Sequence, residues 1–202
     1  RLRPDGTLPI PRRGPIKWIL SSAAYLFNKL HAVAYSVNTY NMMWLKHHHP
    51  LEFWMASLTC EKGDLDKVRN FITAMKVECP DVKVLGPDVN ESGSDFRIEL
   101  GAIRFGLGAI SGVGKAADAI LEARGARPFA SIADFVSRVD GRLVNKKIVT
   151  ALLMANAFSS FGDQRKAWEE LAAAGKDVEE PADDAKSIAT AEAALLGVNI
   201  AF

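Results

Sequence analysis

The sequence predicts a mainly α fold carrying a small β-hairpin or sheet. Three observations predict it. Apolar residues recur at helical spacing over most of the chain from Trp18 onward. Strict alternation is confined to two short runs on either side of Gly101. Turn-forming residues gather at a few points, chiefly 86–93 and 112–114. With 202 residues and 49% hydrophobic content, the chain can bury one large or two small cores.

Residues 1–16 combine Pro4, Pro9, Pro11 and Pro15 with Arg1, Arg3, Arg12 and Arg13. The stretch reads as an extended basic arm. From Trp18 the pattern turns helical, and Phe27 to Ala32 leads into a long helix ending near His49. His31, Tyr35, Asn38 and Met42 share one stripe of that helix, polar to mixed in character and therefore suited to a ligand. His47, His48 and His49 invite a metal reading, but three consecutive helical residues splay over about 200° and cannot converge on one ion. Pro50 stands where proline opens a helix, and Leu51 to Cys60 is apolar nearly all round, which predicts burial.

Asp64 and Asp66 are spaced as a magnesium pair is. Their setting, after Gly63 and before the amphipathic run Val68 to Met75, predicts a helix cap and a first-turn acid instead. Pro80 ends that helix, and Val82 to Leu85 reads as a short strand. Gly86 to Gly93 is a turn-rich connection whose side chains can bond their own backbone. Phe96 to Ile98 and Ile103 to Phe105 form a predicted hairpin about Gly101, the second strand extending over Ala102 to Leu107. After Gly162 the chain is Ala-rich and acidic, broken by Pro181, and reads as surface helix and linker without chemistry.

Between the second strand and a helix bearing Ala117, Ile120 and Leu121 sits Gly112-Val113-Gly114. Two glycines about one apolar residue permit φ > 0 and let backbone amides approach a ligand. Amides opening a helix make an anion site, and Lys115 adds a mobile cation there. The arrangement resembles the helix-hairpin-helix motif, which grips a nucleic-acid backbone without reading sequence. A second, degenerate copy is expected around Arg142, Asn145, Lys146 and Lys147, where Ile148, Ala151, Leu152 and Ala155 share a face and Asn156 can turn left-handed.

Charge placement agrees with a polyanion on one side. Net charge is only +1, yet residues 1–60 hold seven Lys/Arg against two Asp/Glu and residues 101–150 hold eight against four. Residues 61–100 hold six against nine, and 161–202 four against nine. Cys60 and Cys79 form no C-x-x-C pair, so neither a disulfide framework nor a zinc site is indicated. No apolar run reaches the ~18 residues of a membrane span, and no secretory signal opens the chain, which points to the cytoplasm. A start at Arg1 suggests a piece of something longer.

Several of these segments, in this order, resemble one family. Phe27-Asn28-Lys29, His31 to Ser36, Trp44-Leu45-Lys46 and His49 to Phe53 look like the fingers of the bacterial replicative DNA polymerase III alpha subunit. Pro87 to Gly93, Ile103 to Ile110, Gly112-Val113-Gly114, Val144-Asn145-Lys146 and Ala155 to Phe158 continue the match over roughly residues 18–162. Leu26, Leu30 and Gly86 depart from it, standing where the family carries glycine, serine and proline.

Four parts are expected: a basic Pro-rich arm over 1–17 and an acidic Ala-rich linker and helix over 161–202, both read from composition, and between them a helical fingers segment over 18–80 and a β-hairpin with tandem helix-hairpin-helix over 81–160, which the resemblance implies. It implies template-directed DNA synthesis in chromosome replication by the intact parent, with primer–template DNA and incoming dNTP as partners. Clamp and replicase contacts, and the carboxylates that hold Mg²⁺, would lie in other regions, leaving this piece without a catalytic palm, without bound metal and inactive alone. Asn28, Lys29 and His31 would face the nucleotide, since a helix start already favours an anion. Gly112, Val113, Gly114, Lys115, Arg142, Asn145, Lys146 and Lys147 would face DNA. The alternative is a non-catalytic helix-hairpin-helix module of a repair or recombination protein.

Overall fold

The computed structural model describes residues 29–182, 185–198 and 200. The expected arm over 1–17, the stretch 18–28 and with it Asn28 lie outside the described residues. The chain divides into two compact units, 1–48 and 49–202.

In the first unit, helix α1 (Lys29–His48) ends on Lys46, His47 and His48, with the Lys46 cation placed where the helix dipole favours it. Ser36 and Thr39 turn their hydroxyls back onto the Ala32 and Tyr35 carbonyls, 2.8 and 2.9 Å away. No residue of α1 is buried, and Leu30, Tyr40, Met43 and Trp44 are exposed.

The second unit opens with α2 (Pro50–Cys60), its proline at the expected position. Only one stripe of this helix is fully buried, at Trp54 and Leu58, while Leu51, Phe53 and Met55 are half-buried. An all-round apolar helix predicts more; α2 instead lies with one side on α3 (Leu65–Glu78) and on the edge of a sheet. The Asp64 carboxylate accepts from the Lys67 amide at 3.2 Å and caps α3, which buries Val68, Ile72 and Met75 at helical spacing.

Strand β3 (Ala102–Arg104) is central, parallel to β1 (Val84–Leu85) and antiparallel to β2 (Arg97–Glu99). Its hairpin turns on Leu100 and Gly101, both left-handed at φ 51° and 78°. The strand is shorter than the alternation predicts. At Gly106 the chain runs against residues 94 and 95 so closely that a Cβ would lie 2.5 Å from the Asp95 carbonyl carbon. There the Leu107 and Gly108 amides leave the sheet for the Gly93 and Ser94 carbonyls, and Leu107–Ala109 winds into a 3₁₀ turn.

Four further helices carry good caps or buried stripes: α4 (Ala116–Arg124), α5 (Ile132–Arg138), α6 (Lys146–Met154) and α7 (Gln164–Ala173). Ser131, Asn145 and Asp163 cap the last three through their side-chain oxygens. Phe135 stands edge-on to both Phe129 and Phe158, at 5.1 and 5.2 Å, joining α5 to the chain leaving α6. Helix α8 (Ala185–Leu196) packs on α6.

The acidic C-terminal stretch is therefore not a surface attachment. Ala167, Leu171, Val178 and Leu196 are buried, the Ser111 amide donates to the Leu195 carbonyl at 2.9 Å, and Arg69 donates to the Gly197 carbonyl at 2.6 Å. Composition averaged over the stretch hides these few apolar anchors among alanine and acid. No helix among the described residues is long and apolar enough to cross a membrane.

Candidate nucleic-acid interface

The first hairpin runs from the 3₁₀ turn Leu107–Ala109 through residues 110–115 into α4. Gly112 and Gly114 sit at φ 84° and 47° with open space where a Cβ would stand, so their backbone angles, not crowding, require glycine. Both are exposed, while Val113 between them is 4% exposed and pins the turn to the core. Lys115, exposed, follows at the mouth of α4.

The second hairpin joins α5 to α6 through residues 139–145. Asp140 organises it: its carbonyl accepts from the Leu143 and Val144 amides at 3.1 and 2.9 Å, and its carboxylate from the Arg142 amide at 2.8 Å. Val144 is buried, and Asn145 accepts from the Ile148 amide at 3.2 Å. Asn156 is left-handed, at φ 55°, as its residue type allows. It closes the far end of α6, however, where the Ala157 amide returns to Leu152, and is not the turn that corresponds to Gly112-Val113-Gly114.

Both turns open on one groove of about 1040 Å³. Ser111 and Gly112 contribute from the first hairpin, and Asn145, Lys146 and Lys147 from the second. The backbone of the first turn, the start of α6 and its two lysines along one groove make a surface that can hold anionic groups through backbone and point charges, while Lys115 at the start of α4 stands outside that lining. Lys146 also bonds Asp177, another lining residue, at 2.5 Å. Arg142 is exposed on the second turn.

Behind the hairpins lies an arrangement that sequence reasoning saw only in part. Asp88, 2% exposed, accepts from the Asn90 and Glu91 amides as an Asx turn does, the local pattern expected of Gly86 to Gly93. Its other oxygen accepts from the Ser159 hydroxyl and the Ser160 amide, both at 2.9 Å, across more than seventy residues. Arg124, at the end of α4, donates to the Val89, Asn90 and Ser92 carbonyls at 2.8–3.0 Å. Arg138, on α5, donates to the Ala123, Arg124 and Arg127 carbonyls at 2.6–2.9 Å. Buried Asp88 and these two arginines hold the two hairpins to one another; burial alone, invisible in a sequence, distinguishes them from surface charges.

Lys29 and His31 lie at the start of α1, in the other unit, and both are exposed. The His31 ring stands 4.4 Å from that of Tyr35. Asp64 is committed to its cap, and Asp66 pairs with Arg69 at 3.2 Å. The two carboxylates thus do not fit a shared metal, and among the described residues no group of three or more His, Cys, Asp or Glu is placed to hold one.

Residues 81–168 match the family model described as the helix-hairpin-helix motif. The DNA polymerase III subunit alpha of Deinococcus radiodurans is 41% identical over 158 residues, and that of Thermus aquaticus 43% over 146. These alignments cover 77% and 71% of this chain and 12% of each relative. The Campylobacter jejuni subunit is 36% identical over 194 residues, 91% of this chain and 16% of the relative. This chain belongs to the DNA polymerase III alpha family. It spans about an eighth to a sixth of the length of the curated alpha subunits it matches. The Campylobacter alignment takes in most of the chain, in keeping with α7 and α8 being packed into the same core as the hairpins.

Proposed function

We propose that this alpha-family chain supplies nucleotide and duplex contacts within a template-directed DNA polymerase of chromosome replication, acting in the cytoplasm. The observation that carries the reading is the convergence of both hairpin turns, with Lys146 and Lys147, on one groove. The lysines at the start of α6 suit a phosphate backbone, which positions a nucleic acid without reading its sequence, and the apolar Ala151, Met154, Val178 and Leu195 form part of the same lining. The tandem hairpins hold primer–template DNA without sequence preference, and Lys29 and His31, with Asn28, approach the triphosphate of an incoming dNTP. Nucleotidyl transfer itself belongs to carboxylates elsewhere in such a polymerase, which position Mg²⁺; clamp and replicase partners likewise engage other regions. A repair-type hairpin module accounts for the groove equally well, but not for the identity to alpha subunits across α1 and α2.

The experiment is fluorescence anisotropy of this chain with several duplexes of unrelated sequence over a salt series. Weak binding of equal strength to all, falling steeply with salt, is expected. Affinity that is independent of salt, or confined to one sequence, contradicts the proposal.

A further inference from the structure

Acidic chain lines the same groove as the lysines. Asp177, Val178 and Glu179 border it together with Asn145, Lys146 and Lys147, and the Lys146 ammonium donates to Asp177. The backbone of this segment is fixed. The Lys176 amide donates to the Leu171 carbonyl at 2.9 Å, Val178 is buried and accepts from the Trp168 indole at 3.3 Å, and Glu180 pairs with Arg165 at 2.9 Å. The Asp177 side chain, by contrast, is 90% exposed and free to swing while its backbone stays.

We infer that Asp177 is a built-in counter-anion of the hairpin groove: its carboxylate stands at Lys146 where a nucleic-acid phosphate would, and duplex binding proceeds by displacing it. The inference rests on the duplex reading of the groove given above. An exposed ion pair is weak enough to be exchanged for a phosphate. The displaced carboxylate remains tethered nearby with Glu179, and both repel the incoming strand within a Debye length. The segment therefore lowers affinity without blocking the groove, and leaves the hold on DNA releasable.

The test compares duplex affinity of the full chain with those of D177N, D81N and K115A by anisotropy at low and high salt. Asp81 is exposed between α3 and β1, so D81N makes the same change in net charge without touching the groove lining. D177N is expected to bind about two- to fivefold tighter at low salt, the worth of an exposed pair, with the advantage fading as salt rises. D81N is expected to match the parent. Equal affinities for D177N and D81N, with K115A weaker than the parent, overturn this inference alone. Failure of the parent and D177N alike to bind duplex in a salt-dependent way overturns the duplex reading and this inference with it.

Discussion

Val113 and Val144 occupy the same place in successive hairpins. Each is buried, each turns its amide back onto a carbonyl before the turn (Ile110 at 3.1 Å, Asp140 at 2.9 Å), and each is followed two residues later by an exposed lysine at a helix start. The valines set the depth of the turns, and Lys115 and Lys146 are presented in equivalent positions as a result. Lys115→Ala, or Lys147→Ala beside the second turn, is accordingly expected to lower the slope of log affinity against log salt by roughly one unit and to weaken all duplexes alike. Anisotropy titrations over a salt series measure this; an unchanged slope removes the lysine from the interface.

The hairpin between β2 and β3 is tied by a charged cluster. Glu99 accepts from Arg104 at 2.7 Å and from Arg97 at 3.0 Å, and the bond from Arg104, above all, brings its carboxyl pKa down to about 2 against the opposing effect of burial. A folded-state value below the unfolded one stabilises the fold above the ordinary carboxylate range, and that contribution is lost as pH falls toward 2. Glu99→Gln should thus be clearly less stable than the parent at pH 7 in urea denaturation, and the gap should narrow between pH 4.5 and 3, roughly the span below a free glutamate's pKa. A gap that is constant with pH contradicts the role given to the cluster.

Asp88→Ala removes the buried acceptor of four part-buried bonds, those from the Ser159 hydroxyl and from the amides of Asn90, Glu91 and Ser160. Leaving such groups unpaired costs about 2–4 kcal/mol. Thermal or urea unfolding reads this directly. A loss below about 1 kcal/mol, the range of an ordinary surface change, shows that the segment does not tie the hairpins together.

Lys29→Ala, made at the matching position of an intact alpha subunit, is expected to lower kcat/KM for nucleotide about tenfold or more while duplex affinity holds. Steady-state incorporation kinetics decide it. Unchanged kinetics with a lower melting temperature assign Lys29 to structure, and the packing of His31 on Tyr35 is what such a role looks like.

Much of this molecule was legible in its sequence where the determinant is local. The Asp64 cap, Pro50 at a helix start, the turn at Gly101 and the left-handed Gly112 and Gly114 follow from residue type and immediate neighbours. Where the determinant is distant, sequence reasoning fell short. Nothing beside Gly106 announces the close pass of residues 94 and 95, and nothing beside Asp88 announces Ser159. Asn156 misled because its left-handed conformation, correctly expected, serves to end α6. The true second turn uses Asp140 as its hinge and needs no left-handed glycine.

The most direct measurement is duplex affinity of Gly112→Val/Gly114→Val beside the parent, with circular dichroism to establish that both are folded. Open space around each glycine means the cost is backbone strain, about 1–2 kcal/mol at each position, which can be relieved by distorting an exposed turn. The account predicts a folded variant whose salt-dependent duplex binding is lost. A folded variant that binds duplex as tightly as the parent, with the same salt dependence, would contradict it.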